Sequence, residues 1–250
     1  MGALGAQRLG AQRLDAALVA GLDAVLLDAG NTLVFLDHEA VAELARAGGL
    51  SVTADALRRA ESVAKRRYEA LLTAGGAHED GWSLYFVALF GALGVGEAEA
   101  RALVPALRRS HDALNLWRRV PDGVAAALAR AKAAGVRLGV VSNSEGKLDA
   151  LFAHVGLAEY LECVVDSAHE GVRKPDAEIF RRALARLGVD AARALYVGDL
   201  PTVDVEGARG AGLRAVLVDP LGHYAQYADA PRVASVVEVL DAVVAAHLAR

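Results

Sequence analysis

An aspartate at the end of an apolar run is the first residue of the chain whose type and setting could do chemistry. Asp28 follows four apolar residues, 24–27, and precedes an Ala-Gly-Asn sequence typical of a turn. Such a run predicts a buried strand of a parallel sheet, and those sheets bind ligands beyond the carboxyl ends of their strands. Asp28 is therefore a candidate nucleophile or metal ligand. The alternative is a simple turn cap, because Asp and Gly are common in turns.

Three later strand ends carry polar side chains that complement a carboxylate nucleophile. They are Ser142 with Asn143, Lys174, and Asp199 with Asp204. Each alone is more common as a helix cap or a solvated loop residue. Together with Asp28 they supply a nucleophile, a hydroxyl and an ammonium to hold an anion, and two further carboxylates to hold a hard cation. Phosphoryl transfer to a side chain requires that combination.

The order of the elements predicts how these side chains could meet. From residue 120 onward strands and helices alternate regularly, and the predicted strands after the first are 137–141, 161–165, 194–197 and 215–218. Regular alternation predicts an α/β fold with a doubly wound parallel sheet. Because the carboxyl ends of such strands share one edge of the sheet, the predicted site would form at that edge.

A helical block interrupts this alternation directly after the first strand. Residues 39–113 contain no strand pattern, and Val41, Leu44 and Ala45 share one helical face. Thr53 or Asp55 can cap the second helix of the block. We therefore expect an inserted, all-helical cap over the carboxyl end of the first strand.

These patterns divide the chain into three parts. The prediction is an N-terminal extension over 1–19, a core formed by 20–36 and 118–250, and a helical cap over 37–117. Within the extension, residues 5–9 repeat as 10–14, which is too short for a solenoid repeat. We expect the extension to be weakly ordered or helical.

The composition of the 250 residues excludes several classes of partner and site. The net charge is −4 and the basic residues are dispersed, so neither nucleic acid nor an anionic membrane is an expected partner. Cys163 is the only cysteine, which excludes an internal disulfide and fits a reducing compartment. No apolar run approaches the ~20 residues of a membrane span. We expect a cytoplasmic protein with a small-molecule partner, and the sequence leaves its oligomeric state open.

The four polar motifs resemble those of the haloacid dehalogenase-like hydrolase superfamily, in the subgroup with a helical cap between the first and second motifs. The resemblance covers about residues 24–220, and the motifs in order are 28–33, 140–143, 174–175 and 198–204. It implies a Mg²⁺-dependent phosphatase that acts on a small phosphorylated metabolite through an aspartyl-phosphate at Asp28.

The resemblance also implies roles for individual residues. The implied catalytic residues are Asp28, Ser142 and Lys174. The implied phosphate ligands are the backbone N–H groups of Ala29, Gly30 and Asn31, together with Ser142, Asn143 and Lys174. The implied Mg²⁺ ligands are Asp28, the carbonyl of Gly30, Asp199, and Asp204 through water.

One position departs from the pattern of the superfamily. Its phosphatases usually carry a second Asp two residues after the nucleophile as a general acid, and this chain has Gly30 there. Loss of a positioned general acid costs about 10²–10⁴-fold in rate, on the order of 3–5 kcal/mol of barrier. Asp37 and His38 are the nearest titratable candidates for a substitute.

Three alternatives stay open at this point. A 2-haloacid dehalogenase uses the same nucleophile without metal, although two acidic residues in the fourth motif speak against it. A phosphonate hydrolase needs a cap lysine, and the only one is Lys65, which we expect to be a solvated helix residue. A protein of another class, which binds phosphometabolites or regulates with little turnover, is the third alternative, and Gly30 is the feature that keeps it open.

Overall fold

The computed structural model describes residues 14–76 and 78–249, with the backbone alone for 78–80. Residues 1–13 of the predicted extension therefore lie outside the described part. The remainder of the extension contains a short helix, α1 (Ala16–Val19), and Val19 packs into the core.

The central sheet has six parallel strands in the order β5-β4-β1-β6-β7-β8. The strands of the molecule are β1 (Ala24–Leu27), β2 (Phe35–Leu36), β3 (Trp117–Arg119), β4 (Arg137–Ser142), β5 (Cys163–Asp166), β6 (Ala194–Gly198), β7 (Arg214–Val218) and β8 (Arg232–Val233). All four residues of β1 are buried, as the continuous apolar run predicts. The chain builds outward from β1 on one side and then returns to the other, so β1 lies where the strand order reverses.

Helices cover both faces of this sheet. The helices of the core after α1 are α6 (Val124–Ala133), α7 (Leu148–His154), α8 (Ser167–Glu170), α9 (Ala177–Leu187), α10 (Gly207–Gly210) and α11 (Val236–Leu248). Val25 and Leu27 of β1 pack with α6, α7 and α11, whereas Ala24 and Leu26 pack with α9 and α10. Alternate residues of one strand thus enter two different hydrophobic cores. The predicted doubly wound α/β fold is confirmed.

The insertion after the first strand is helical, as predicted. It comprises α2 (His38–Ala47), α3 (Ala54–Thr73), α4 (His78–Gly91) and α5 (Glu97–Ala113). These helices bury their own cluster around Leu57, Phe86 and Leu107. Thr53 caps α3 by accepting a hydrogen bond from the N–H of Ala56. The antiparallel pair β2–β3, which the sequence did not predict, joins this cap to the sheet.

Two segments near the site lie outside regular α-helix. Residues Pro201–Glu206 form a π-helical turn before α10, and such turns occur frequently at functional sites. Helix α7 begins at Leu148, which leaves residues 145–147 in a loop that contacts the cap. Among the described residues, no helix is both long and apolar enough to cross a membrane.

Candidate active site

The carboxyl ends of β1, β4 and β6 meet beneath the cap. Asp28 follows β1, Ser142 ends β4 and Asp199 follows β6, and all three side chains are buried. They line a cavity of about 140 Å³ between the sheet and the cap. The site therefore forms at the reversal of strand order, where open α/β sheets bind their ligands.

Asp28 is held by two donors. The Ser142 hydroxyl donates to Oδ1 of Asp28 at 3.0 Å, and Nζ of Lys174 donates to the same oxygen at 2.6 Å. Burial raises the pKa of Asp28 to about 7, Lys174 opposes this rise, and the carboxylates of Asp204 and Asp199 add to it. In the absence of a further cation, the candidate nucleophile is thus partly protonated near neutral pH.

Lys174 is fixed at the centre of the site. Its Nζ contacts Oδ1 of Asp204 at 2.6 Å and the hydroxyl of Tyr196 at 2.9 Å, in addition to Asp28. Burial alone would lower its pKa, but the carboxylates of Asp204 and Asp28 outweigh burial, so the pKa is raised and the side chain stays an ammonium. Tyr196, in the middle of β6, donates to the carbonyl of Val141 and was not predicted as a site residue.

Asn143 positions the backbone of Lys174. Its Nδ2 donates to the carbonyl of Lys174 at 3.0 Å, and its Oδ1 accepts from the N–H of Lys174 at 2.8 Å. The peptide bond between Lys174 and Pro175 is cis. These two hydrogen bonds use the amide oxygen and one of the two N–H groups of Nδ2, so Asn143 holds the lysine in this structure. Asn143 also lines the cavity, and its contact with phosphate stays a prediction.

Asp204 organises the loop that presents Asp199. Oδ2 of Asp204 accepts from the N–H groups of Asp199 at 3.0 Å and Leu200 at 2.9 Å. A Cβ at Gly198 would lie 2.5 Å from the Asp204 carboxyl carbon, so this approach requires glycine.

One oxygen from each of Asp28, Asp199 and Asp204 lies within 4.8 Å of the others, which fits the oxygen ligands that Mg²⁺ prefers. Burial is the largest cause of a raised pKa at Asp199.

The turn after Asp28 differs from the predicted phosphate cradle. Ala29 and Gly30 line the cavity, but the N–H of Asn31 donates to the carbonyl of Val34 at 2.8 Å. That N–H is therefore engaged within the turn in this structure, and its contact with phosphate stays a prediction. The side chain of Asn31 instead donates to Oδ2 of Asp199 at 3.2 Å, from a backbone with φ 53°.

The two predicted substitutes for the missing acid lie away from the cavity. Asp37 caps α2 by accepting from the N–H of Ala40 at 3.1 Å, and it also accepts from Nε of Arg118 at 2.9 Å. His38 is buried in the cap, with Nε2 2.9 Å from Oε2 of Glu61. Among the described residues that line the cavity, neither appears. The structure gives no support to either as a proton donor.

Lys65 reaches the site from the cap, so the expectation that it is solvated was wrong. It is 7% exposed, and its Nζ lies 2.7 Å from Oδ2 of Asp199. The ammonium also lies 5.3 Å from the ring centroid of Tyr224. Helical spacing contained the signal, because Lys65 lies on the same side of α3 as the buried Leu57 and Glu61, at i+8 and i+4.

The cap wall of the cavity is mainly aromatic. Its side chains include Tyr68, Trp82, Tyr85 and Trp117, with Leu72 beside them. Trp82 is 5% exposed, and its Nε1 has no hydrogen-bond partner among the described residues. This N–H can donate to an acceptor on a bound ligand, whereas the rings favour an apolar organic group.

An ion pair fastens the cap to the loop after β4. Nη1 and Nη2 of Arg108 donate to the two carboxylate oxygens of Glu145 at 2.7 and 2.5 Å. Hydrogen bonds from His111 and then Arg108 lower the pKa of Glu145 to about 2. Lys147 adds a contact with Asp112 at 3.2 Å. These contacts and the Lys65–Asp199 pair are separate links between the cap and the core.

Comparisons with known proteins agree with this architecture. A model of haloacid dehalogenase-like hydrolases matches residues 22–212. The human haloacid dehalogenase-like hydrolase domain-containing protein 3 is 32% identical over 202 residues, which are 76% of this chain and 79% of that protein. A phosphoserine phosphatase of Thermus thermophilus is 42% identical over 93 residues, 37% of each chain.

A solved structure of a known enzyme has a similar fold. The L-2-haloacid dehalogenase of Xanthobacter autotrophicus aligns with a TM-score of 0.60 at 22% identity, over 89% of this chain and 98% of that one. The fold is thus shared by enzymes with different reactions, and the family follows from the sequence matches. This chain belongs to the haloacid dehalogenase-like hydrolase family.

Proposed function

We propose that the protein is a Mg²⁺-dependent phosphatase that acts on a small phosphorylated metabolite. One observation carries the proposal: three carboxylates, Asp28, Asp199 and Asp204, gather within 4.8 Å beside the Lys174 ammonium and the Ser142 hydroxyl. A carboxylate nucleophile with an anion-binding hydroxyl and ammonium suits phosphoryl transfer, and the additional carboxylates suit a hard cation. Phosphatases among the relatives agree with this reaction class.

The proposed reaction assigns a role to each residue of the site. A carboxylate oxygen of Asp28 attacks phosphorus and forms an aspartyl-phosphate while the ester oxygen leaves; water then cleaves the new acyl phosphate and regenerates Asp28. Lys174 and Ser142 orient Asp28 and offset charge on the phosphoryl oxygens. Asn143 keeps Lys174 in place through its two backbone hydrogen bonds.

Asp28 and Asp199, with the carbonyl of Gly30, would hold the Mg²⁺. Asp204 is less available, because its two oxygens accept hydrogen bonds from Lys174 and from the N–H groups of Asp199 and Leu200. When bound, Mg²⁺ supplies neutralisation of the clustered negative charge and polarises the phosphoryl group.

The cavity between the sheet and the cap favours a small substrate. Its volume of about 140 Å³ is close to that of an engineered apolar cavity of about 150 Å³ that binds benzene. A phosphoryl group with a short or single-ring organic remainder suits a cavity of this volume. The aromatic wall and the free Trp82 N–H favour an apolar group that carries one acceptor.

A screen of small phosphate esters with two readouts tests the proposal. Phosphate release should require Mg²⁺ and disappear in EDTA, and thermal stability should rise with Mg²⁺. Chloride release from a 2-haloacid in EDTA would instead support metal-free dehalogenation. Ligand-induced stabilisation without phosphate release from any ester would support the binding or regulatory alternative.

The position of Lys65 keeps phosphonate hydrolysis as a second candidate. A buried cap lysine beside Asp199 is where an amine could condense with an aldehyde of a phosphonate substrate. Its ion pair with Asp199 argues against this role, since an ammonium is not nucleophilic. Detection by mass spectrometry of a borohydride-reduced adduct between Lys65 and phosphonoacetaldehyde would support phosphonate hydrolysis.

A further inference from the structure

Lys65 is a contact between the cap and the carboxylate cluster. It comes from the middle of α3, yet its Nζ lies 2.7 Å from Oδ2 of Asp199. Asn31 donates to the same oxygen at 3.2 Å. A residue of the cap thus neutralises a carboxylate that the proposed function assigns to a divalent cation.

The two ammonium groups of the site are held in different ways. Lys174 belongs to the core and has three side-chain partners, Asp28, Asp204 and Tyr196, while Asn143 fixes its backbone. Lys65 belongs to the cap, and among the described residues its ion pair is with Asp199. Of the two, Lys65 is the group that can leave without dismantling the core of the site.

Charge balance gives a reason for Lys65 to leave. The three carboxylates and two ammonium groups sum to −1 when all are ionised, so the closed site is nearly neutral without a metal. A divalent cation that took Oδ2 of Asp199 would lie beside the Lys65 ammonium on the same carboxylate oxygen. Like charges at that separation repel in a buried site, so occupation of Oδ2 by one of them disfavours the other.

We propose that Lys65 is a built-in competitor of the metal: its ammonium occupies Asp199 beneath the closed cap, and a divalent cation binds only by displacing it. The inference rests on the proposed function, because it concerns the same carboxylates. It makes Lys65 a determinant of metal affinity that lies outside the four motifs of the core.

The displacement of Lys65 also affects how the cap contacts the core, because neighbouring residues of α3 make the same contact. The Tyr224 hydroxyl donates to Oε2 of Glu69 at 2.6 Å, one helical turn after Lys65, and the ammonium of Lys65 lies against the Tyr224 ring. Displacement of Lys65 removes one of the polar contacts that join α3 to the core. Metal binding should therefore loosen the contact of α3 with the core, whereas the Arg108–Glu145 pair is unaffected.

Isothermal titration of the full-length protein with MgCl₂, without substrate, tests the competition. Lys65→Met removes the charge and keeps the bulk of the side chain, and we expect Mg²⁺ to bind at least tenfold more tightly. Lys65→Arg retains the charge and should bind Mg²⁺ with the affinity of the wild type. Arg66→Met is the matched control, because Arg66 is the exposed neighbour on the same helix.

A thermal measurement supplies a second readout. In EDTA, Lys65→Met should melt below the wild type because Asp199 loses its counter-ion, and saturating Mg²⁺ should raise its Tm more than that of the wild type. If Lys65→Met does not fold, Lys65→Gln, which keeps a donor for Asp199 without charge, replaces it with the same expectations.

The outcomes separate the two proposals. Equal or weaker Mg²⁺ affinity in the charge-free variants overturns the competition while leaving the phosphatase proposal intact, and so does Lys65→Arg binding as tightly as Lys65→Met. Absence of Mg²⁺ binding to both the wild type and the variants overturns the competition and the metal-dependent function together.

Discussion

Gly30→Asp is the substitution that most directly tests the chemistry of this site. It restores a carboxylate at the position where related phosphatases carry their general acid. The backbone permits the change, because φ of Gly30 lies outside the left-handed region. A Cβ there would meet only Cδ1 of Trp117, at 3.8 Å, which is ordinary van der Waals contact. The side chain should therefore enter the cavity without strain.

The expected effect follows from what a proton donor does. Alkyl phosphates leave as alkoxides that need a proton, whereas aryl and acyl phosphates leave without one. Without a donor, the rate of the wild type should depend steeply on the pKa of the leaving group. Gly30→Asp should raise alkyl phosphate turnover by up to ~10²–10⁴-fold and change p-nitrophenyl phosphate turnover little.

The assay is a plot of log kcat/KM against leaving-group pKa for the wild type, Gly30→Asp and Gly30→Asn. The asparagine variant is the steric control, since its amide cannot donate an acidic proton. A flat plot for the wild type would show that a donor is already present, and the structure then directs attention to Lys65 and His111, which line the cavity, rather than to Asp37 and His38. A steep plot that folded, Mg²⁺-binding Gly30→Asp fails to flatten would refute our account of this position.

The remaining predictions concern Asp28. Asp28→Asn should reduce phosphate release by orders of magnitude because the nucleophile is lost, and retention of more than about a tenth of the wild-type rate would refute the assignment. The pKa of Asp28 is near 7 in the folded protein and 3.8 ordinarily, so the folded state binds this proton more tightly. In EDTA, the contribution of Asp28 to stability should therefore be lost as pH rises from about 4 to about 7, and urea titrations should show a smaller loss over this range in Asp28→Asn than in the wild type. Saturating Mg²⁺ should flatten the same profile in the wild type, because a bound cation favours ionised Asp28; an unchanged slope would contradict metal ligation by this carboxylate.

The sequence predicted the positions of the site residues better than their partners. Asp28, Ser142 and Asp199 follow or end buried strands, and parallel strands align their carboxyl ends, so proximity followed from topology alone. The hydrogen-bond partners of the Asn143 and Asn31 side chains could not be predicted from the topology. An amide can donate and accept, and only the tertiary arrangement determines that Asn143 binds the backbone of Lys174.

In the cap, helical periodicity predicted the helices but not their contacts with the core. Hydrophobic spacing predicted the helices of the cap. The same spacing also places Lys65 on the buried face of α3. It could not predict which surface that side faces, because the docking of α3 onto Asp199 and Tyr224 depends on contacts distant in sequence. The β2–β3 pair was missed because two- and three-residue strands carry too little alternation to detect.

Charge, rather than fold, separates a phosphatase from a dehalogenase in this molecule. Both reactions need Asp28 ionised, and the fold accommodates either, as the dehalogenase neighbour shows. In this chain, burial and the carboxylates of Asp204 and Asp199 hold the pKa of Asp28 near 7 even with Lys174 bound to it. A metal-free dehalogenase would gain nothing from Asp199, which only adds charge beside its nucleophile. The proposed Mg²⁺-dependent reaction would account for the cluster, because the same carboxylates that hinder ionisation of Asp28 would then bind the ion that favours it.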